Sequence, residues 1–138
     1  METPKMEPSY YVGIGASAGG LEAIEQFIAN VPQECDYAII IIQHLSPDYK
    51  SMMAEILSKK TTLPVLKSED GMMVNPGHIY LIPPKKNLRI FKGRLYLDAP
   101  DYSSGINFPI DIFLRSLAED QGEKAIGVIL SGTGSDGV

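Results

Sequence analysis

Tyr10-Tyr11-Val12-Gly13-Ile14-Gly15-Ala16-Ser17-Ala18-Gly19-Gly20 sets an apolar run, a glycine-rich turn and a serine in immediate succession. An apolar run with β-branched residues predicts a buried strand from Tyr10 to Ala16. Leu21, Ile24, Ile28 and Val31 then recur on one helical face until Pro32 stops the pattern. A strand handing over to a helix through small residues is the first unit of an α/β domain. The turn has two chemical readings. As Gly15-x-Ser17-x-Gly19 it has the spacing of a nucleophile elbow, whose small flanking residues let the backbone bend sharply and hold a hydroxyl clear of the sheet. As Gly13-x-Gly15-x-x-Ala18 it fits the dinucleotide fingerprint, in which glycines admit a pyrophosphate to the helix N-terminus.

Outward from this unit the alternation continues. Tyr37 to His44 is a nearly continuous β-branched run, as expected of a parallel strand covered on both faces and lying beside the first. Ser46 is placed to cap a helix with Pro47 at its first position, and Met53, Ile56 and Leu57 form its apolar stripe through about Lys60. Leu63 to Leu66 reads as a short strand. The turn Asn75-Pro76-Gly77 leads into Ile79-Tyr80-Leu81-Ile82, which Pro83-Pro84 terminates. Asn87 to Phe91 and Arg94 to Leu97 alternate across Lys92-Gly93, the pattern of a hairpin with one wet face, expected as an antiparallel appendage to a mostly parallel sheet. Ile110, Phe113, Leu114 and Leu117 mark a helix capped by Gly122, and Ala125 to Leu130 is expected as another buried strand. The fold expected is α/β: a doubly wound, mostly parallel Rossmann-like sheet with an antiparallel hairpin. Residues 1–9 read as a leader and 10–138 as one domain that is truncated at its C-terminus, because no helix follows the last strand.

The 138 residues are 44% apolar and 21% charged, enough for one globular core, and a formal charge of −5 argues against a general affinity for nucleic acid or an anionic membrane. No apolar stretch reaches the about 18 residues of a membrane span, and the first nine residues lack a signal-peptide core, so a cytoplasmic location is expected. Eight of the twelve Lys and Arg residues lie between Lys59 and Arg94, and the simpler account of this basic segment is a solvated hairpin face. Cys35, the single cysteine, reads as a half-buried structural thiol, and His78 as a structural residue at the start of a strand. With one cysteine, two histidines and no compact carboxylate cluster, neither a metal nor an organic cofactor is expected.

In an open α/β sheet, ligands bind outside the carboxyl ends of the strands. Ser17, His44 and Asp136 all fall at or just beyond such ends, and neighbouring strands are only about 4.8 Å apart. A nucleophile, a base and an orienting carboxylate can therefore meet at one edge. Each also has a simpler reading: Ser17 as a helix N-cap, His44 as a satisfied core histidine, Asp136 as a turn residue. The dinucleotide reading requires an acidic residue at the end of the second strand, where the chain has Gln43 and His44. A P-loop fails for want of Lys-Ser or Lys-Thr after the glycines.

Four segments together resemble the catalytic domain of the CheB-type chemotaxis receptor methylesterases. They are Ile14-Gly-Ala-Ser17-Ala-Gly-Gly20, Ile42-Gln-His44, Pro76-Gly-His-Ile-Tyr-Leu-Ile-Pro83 and Gly127-Val-Ile-Leu-Ser-Gly-Thr-Gly-Ser-Asp136-Gly137, with Phe108-Pro-Ile-Asp-Ile-Phe113 in its expected place between them. The likeness runs from Tyr10 onward. It implies hydrolysis of glutamate γ-methyl esters on the cytoplasmic domains of chemoreceptors, with deamidation of receptor glutamines as the same acyl chemistry. It implies Ser17 as nucleophile, His44 as general base and Asp136 as its orienting partner. Backbone N–H groups of Ala18 and Thr133 are the expected oxyanion donors, although threonine and methionine are the commoner family residues at these two positions. Stand-alone members carry a phosphorylatable receiver domain ahead of the esterase, whereas nine residues precede Tyr10 here. Related esterase domains also stand at the front of proteins fused to a receptor methyltransferase, an arrangement that a short leader suits.

Overall fold

The computed structural model describes residues 7–17, 20–43, 47–103 and 105–130, without the side chains of 47–51. In chain order the elements are β1 (Tyr11–Ala16), α1 (Leu21–Ala29), β2 (Ala38–Gln43), α2 (Pro47–Ser58), β3 (Val65–Lys67), β4 (Met72–Met73), β5 (Ile79–Leu81), β6 (Asn87–Phe91), β7 (Arg94–Asp98), α3 (Pro109–Gln121) and β8 (Ala125–Leu130). Five of the strands form one sheet in the order β3-β5-β2-β1-β8. Every pairing in it is parallel. The expected α/β sheet is what the chain builds, with β2 beside β1.

Parallel strands covered on both faces need apolar residues at successive positions, and β1 and β2 are buried at every position. Their alternating side chains feed two cores. Val12, Ile14, Ala16, Ile39 and Ile41 face Ile24 and Ile28 of α1 and Met53 and Leu57 of α2. Tyr11, Ile40 and Ile42 face Ile110, Phe113 and Leu117 of α3. Each of the large aliphatic side chains and Phe113, taken fully out of water, contributes about 1.5–3 kcal/mol before entropic costs. The methionines divide: Met53 fills the core, whereas Met52 is exposed.

The hairpin β6–β7 forms as predicted, an antiparallel appendage to the parallel sheet. With β4 it makes a separate three-stranded antiparallel sheet, order β4-β7-β6, whose buried face of Leu88, Ile90 and Leu95 joins the same core as α3. A hairpin with one apolar face needs an apolar partner, and α3 supplies it. The expected wet face is there, with Arg89, Phe91 and Lys92 exposed and Arg89 paired to Asp98. One expectation needs correction: β8, whose apolar run reads as a buried strand, stands at the end of the strand order among the described residues, paired to β1, with Ile126 and Ile129 exposed at 41% and 43%. Strand composition does not reveal position within a sheet.

Candidate active site

Three parallel strands finish level with one another. Ala16 at the end of β1 is in register with Gln43 at the end of β2 and with Leu130 at the end of β8. The chain leaves β1 for β2 on one side, while β8 lies on the other, so the carboxyl end of β1 is the switch point at which open α/β sheets bind ligands. Ser17 is the first residue beyond that end. α3 runs antiparallel to β1, with Ile110 from its first turn packed over Gly15 and Phe113, Leu114 and Leu117 over Gly13. The start of α3 therefore lies at the same edge as Ser17.

This packing decides between the two readings of the glycines. Gly13 and Gly15 lie inside β1, not in the turn, and they face α3. A β-carbon on Gly13 would stand 2.9 Å from Leu114 Cδ2, and one on Gly15 would overlap Ile110. These glycines are spaces for a helix, so the dinucleotide reading loses its first two residues as well as its acidic partner.

Ser17 is partly buried, and its backbone carbonyl accepts two hydrogen bonds, from Gly20 N–H at 2.9 Å and from Gln43 Nε2 at 3.4 Å. The residue at the N-cap of α1 is Gly20, three positions after Ser17. His44, Ala18, Thr133, Asp136 and the expected cap Ser46 lie outside the described residues. In the sequence His44 directly follows Gln43, and Asp136 belongs to the segment that follows β8.

The remaining candidates have structural roles. The Cys35 thiol is half-buried and donates to the Tyr37 carbonyl at 3.1 Å, and burial raises its pKa above the ordinary thiol value. The His78 Nδ1 lies 2.8 Å from the Pro76 carbonyl, and the ring stacks on Tyr80. Among the described residues no three His, Cys, Asp or Glu side chains gather as metal ligands. None of the described helices is long and apolar enough to cross a membrane. Among the described residues, a cavity of about 20 Å³ lined by Ile41, Gln43, Met53, Lys67 and Leu81 has room for about one water, too little for an ester side chain. Gln43 is the feature that reading the sequence missed, having been weighed only as a residue that is not acidic. The signal was available, because an amide ends a run of four buried isoleucines.

The model of the CheB methylesterase family matches residues 12–138. The protein-glutamate methylesterase/protein-glutamine glutaminase of Yersinia pestis bv. Antiqua (strain Antiqua) is 35% identical over 139 residues, covering 98% of this chain and 40% of the relative. The protein-glutamate methylesterase FrzG of Myxococcus xanthus is 37% identical over 135 residues, covering 96% and 40%. The chain thus spans about 40% of the length of these relatives. The crystal structure of the Thermotoga maritima CheB methylesterase catalytic domain superposes with a TM-score of 0.82 at 33% identity, over 94% of this chain and 70% of that one. The family match, the relatives and the superposed fold agree, and the chain belongs to the CheB methylesterase family.

Proposed function

We propose that the chain is the catalytic part of a protein-glutamate methylesterase that hydrolyses glutamate γ-methyl esters on the cytoplasmic domains of chemoreceptors. The observation that carries this reading is the common register of Ala16, Gln43 and Leu130. It supports a serine from the end of β1, a histidine that follows β2 and an aspartate from the segment after β8 acting at one edge. Family membership supports the chemistry, and the names of the relatives supply both the ester and the glutaminase activity.

In the proposed mechanism the Ser17 Oγ attacks the ester carbonyl carbon while its proton passes to the His44 imidazole, whose cation Asp136 orients and stabilises. The oxyanion is held by the N–H groups of Ala18 and Thr133. The tetrahedral adduct collapses, the carbon–oxygen bond to the methoxy group breaks, and methanol leaves with the proton from His44. A water molecule, deprotonated by His44, then attacks the acyl-enzyme, and the Ser17–carbonyl bond breaks to give glutamate and the free hydroxyl. A glutamine side chain would follow the same path with ammonia as the leaving group. No metal or organic cofactor enters these steps.

The test is methanol release from methyl-esterified receptor cytoplasmic fragments, with the chain and its Ser17→Ala variant in parallel. Release that disappears with Ser17 supports the reading. Equal release from both sinks Ser17 as the nucleophile. Receptor binding without turnover would instead make it a docking module.

A further inference from the structure

Gln43 occupies a position that its chemistry does not favour. It ends β2, the middle strand of the five, and is only 3% exposed. The four residues before it are isoleucines, and by strand alternation it shares the face of Ile39 and Ile41, toward α2. A primary amide taken out of water costs stability unless its groups are paired, and an aliphatic residue would fill the same space without that cost. One pairing is visible. A carbonyl oxygen accepts and does not donate, so the group facing the Ser17 carbonyl is the amide nitrogen, at 3.4 Å. The Oε1 atom on the other side is buried with no partner among the described residues. The same Ser17 carbonyl accepts the Gly20 N–H that closes the turn into α1. Two donors, one from the turn itself and one from the neighbouring strand, thus converge on the backbone of the serine.

We propose that Gln43 is a positioning residue for the esterase, an inference that rests on the function proposed above. Its amide ties the backbone of Ser17 to the end of β2, the strand that His44 follows in the sequence. The distance between a nucleophile and its base has to be held to a fraction of an ångström, because misplacement by about 1 Å costs on the order of a hundredfold in rate. A side-chain bridge between the two strand ends fixes that distance where the strand ladders stop. Gln43 touches no reacting atom in this role; it acts through the backbone of Ser17.

The experiment compares the full chain with Gln43→Leu and Gln43→Glu. Gln43→Leu is expected to lower kcat for methanol release, and the rate of Ser17 phosphonylation by a fluorophosphonate, by about tenfold or more with little change in KM. The Gly20 amide, which shares the acceptor, should exchange with solvent faster. Gln43→Glu keeps the shape but donates only when protonated, and burial raises its carboxyl pKa. Its rate relative to the parent should therefore recover as the pH falls, a response that mere loss of packing would not give. Parent-like kcat, labelling and Gly20 exchange in Gln43→Leu would overturn the proposal. So would a Gln43→Glu whose rate relative to the parent does not vary with pH, which also serves if Gln43→Leu fails to fold. A parent chain without turnover, whose Gly20 exchange nevertheless accelerates in Gln43→Leu, would overturn the esterase reading and leave the anchor standing.

Discussion

Ile110 of α3 occupies the space that a β-carbon on Gly15 of β1 would need. Gly15→Ala is therefore expected to push α3 off the sheet and cost about 1–3 kcal/mol, the usual range for overpacking. Gly127 on β8 provides the control. A β-carbon there would meet Leu114 at 3.7 Å, an ordinary contact, so Gly127→Ala should be neutral or stabilise by about 0.4–1 kcal/mol through the unfolded state. Urea unfolding of both variants measures the difference, and equal midpoints would mean that α3 does not pack as described. Combining Gly15→Ala with Ile110→Ala should cost less than the sum of the single changes, since each relieves the other.

Two carboxylates on and beside the hairpin should behave unequally. Asp120 of α3 accepts the Lys92 N–H at 2.6 Å and the Gly93 N–H at 3.1 Å, so it holds both central residues of the turn. That turn has positive φ at both positions, 50° at Lys92 and 74° at Gly93, the geometry that matches hairpin twist. Asp98 pairs with Arg89 across the strands where the two side chains are 39% and 48% exposed. Asp120→Ala is expected to cost about 1.5–3 kcal/mol, because it strips a charged acceptor from two backbone donors. Asp98→Ala should cost less than about 1 kcal/mol, and less again in high salt. Denaturant titrations at low and high salt would reveal a reversed order, which would disprove this account of how the hairpin is held.

The hairpin also shows where local sequence suffices and where it does not. Alternation in Asn87–Phe91 and Arg94–Asp98 with Lys92-Gly93 between them makes β6 and β7 legible, because register and turn are local properties. β4 was not legible: two residues, Met72 and Met73, have no period, and Gly71 N–H and Val74 N–H are held by Leu95 and Gly93 from the other end of the hairpin. The exposure of Ile126 and Ile129 depends on sheet order, a non-local property that an apolar run does not carry. At the site, the glycine-rich stretch pointed to Ser17 but not to the reason for Gly13 and Gly15, which is a helix arriving about a hundred residues later in the chain.

Cys35 should be slow toward thiol reagents. The thiolate is the reactive form, and burial raises the Cys35 pKa, partly offset by hydrogen bonding from Tyr37. Alkylation by iodoacetamide at pH 8 is expected to run several-fold slower in the folded chain than in denaturant, and Cys35→Ser should leave methanol release unchanged. Equal alkylation rates in the two states would contradict the structural role assigned to this residue.

Tyr80 is expected to contribute to the loss of stability at alkaline pH. Its ring is fully buried, and its hydroxyl accepts the Asn75 N–H at 2.8 Å and donates to the Met73 carbonyl at 3.3 Å. Burial raises its pKa above 10.0, with the Asn75 bond working in the opposite direction; Tyr11 and Tyr37 are raised too, each chiefly by burial. A phenol that stays protonated in the folded state but ionises near 10 when unfolded gives the native state the larger number of bound protons above that pH. Stability is then unaffected by these groups at neutral pH and falls as pH rises from about 10 toward the folded values. Tyr80→Phe removes the acceptor of a backbone donor and should cost about 1–3 kcal/mol at pH 7. It also removes one titrating phenol, so the gap between variant and parent is expected to narrow above pH 10. Unfolding free energies at pH 7, 9 and 10.5 test this, and a gap that stays constant or widens would show that the Tyr80 hydroxyl is not the buried acid the structure makes it.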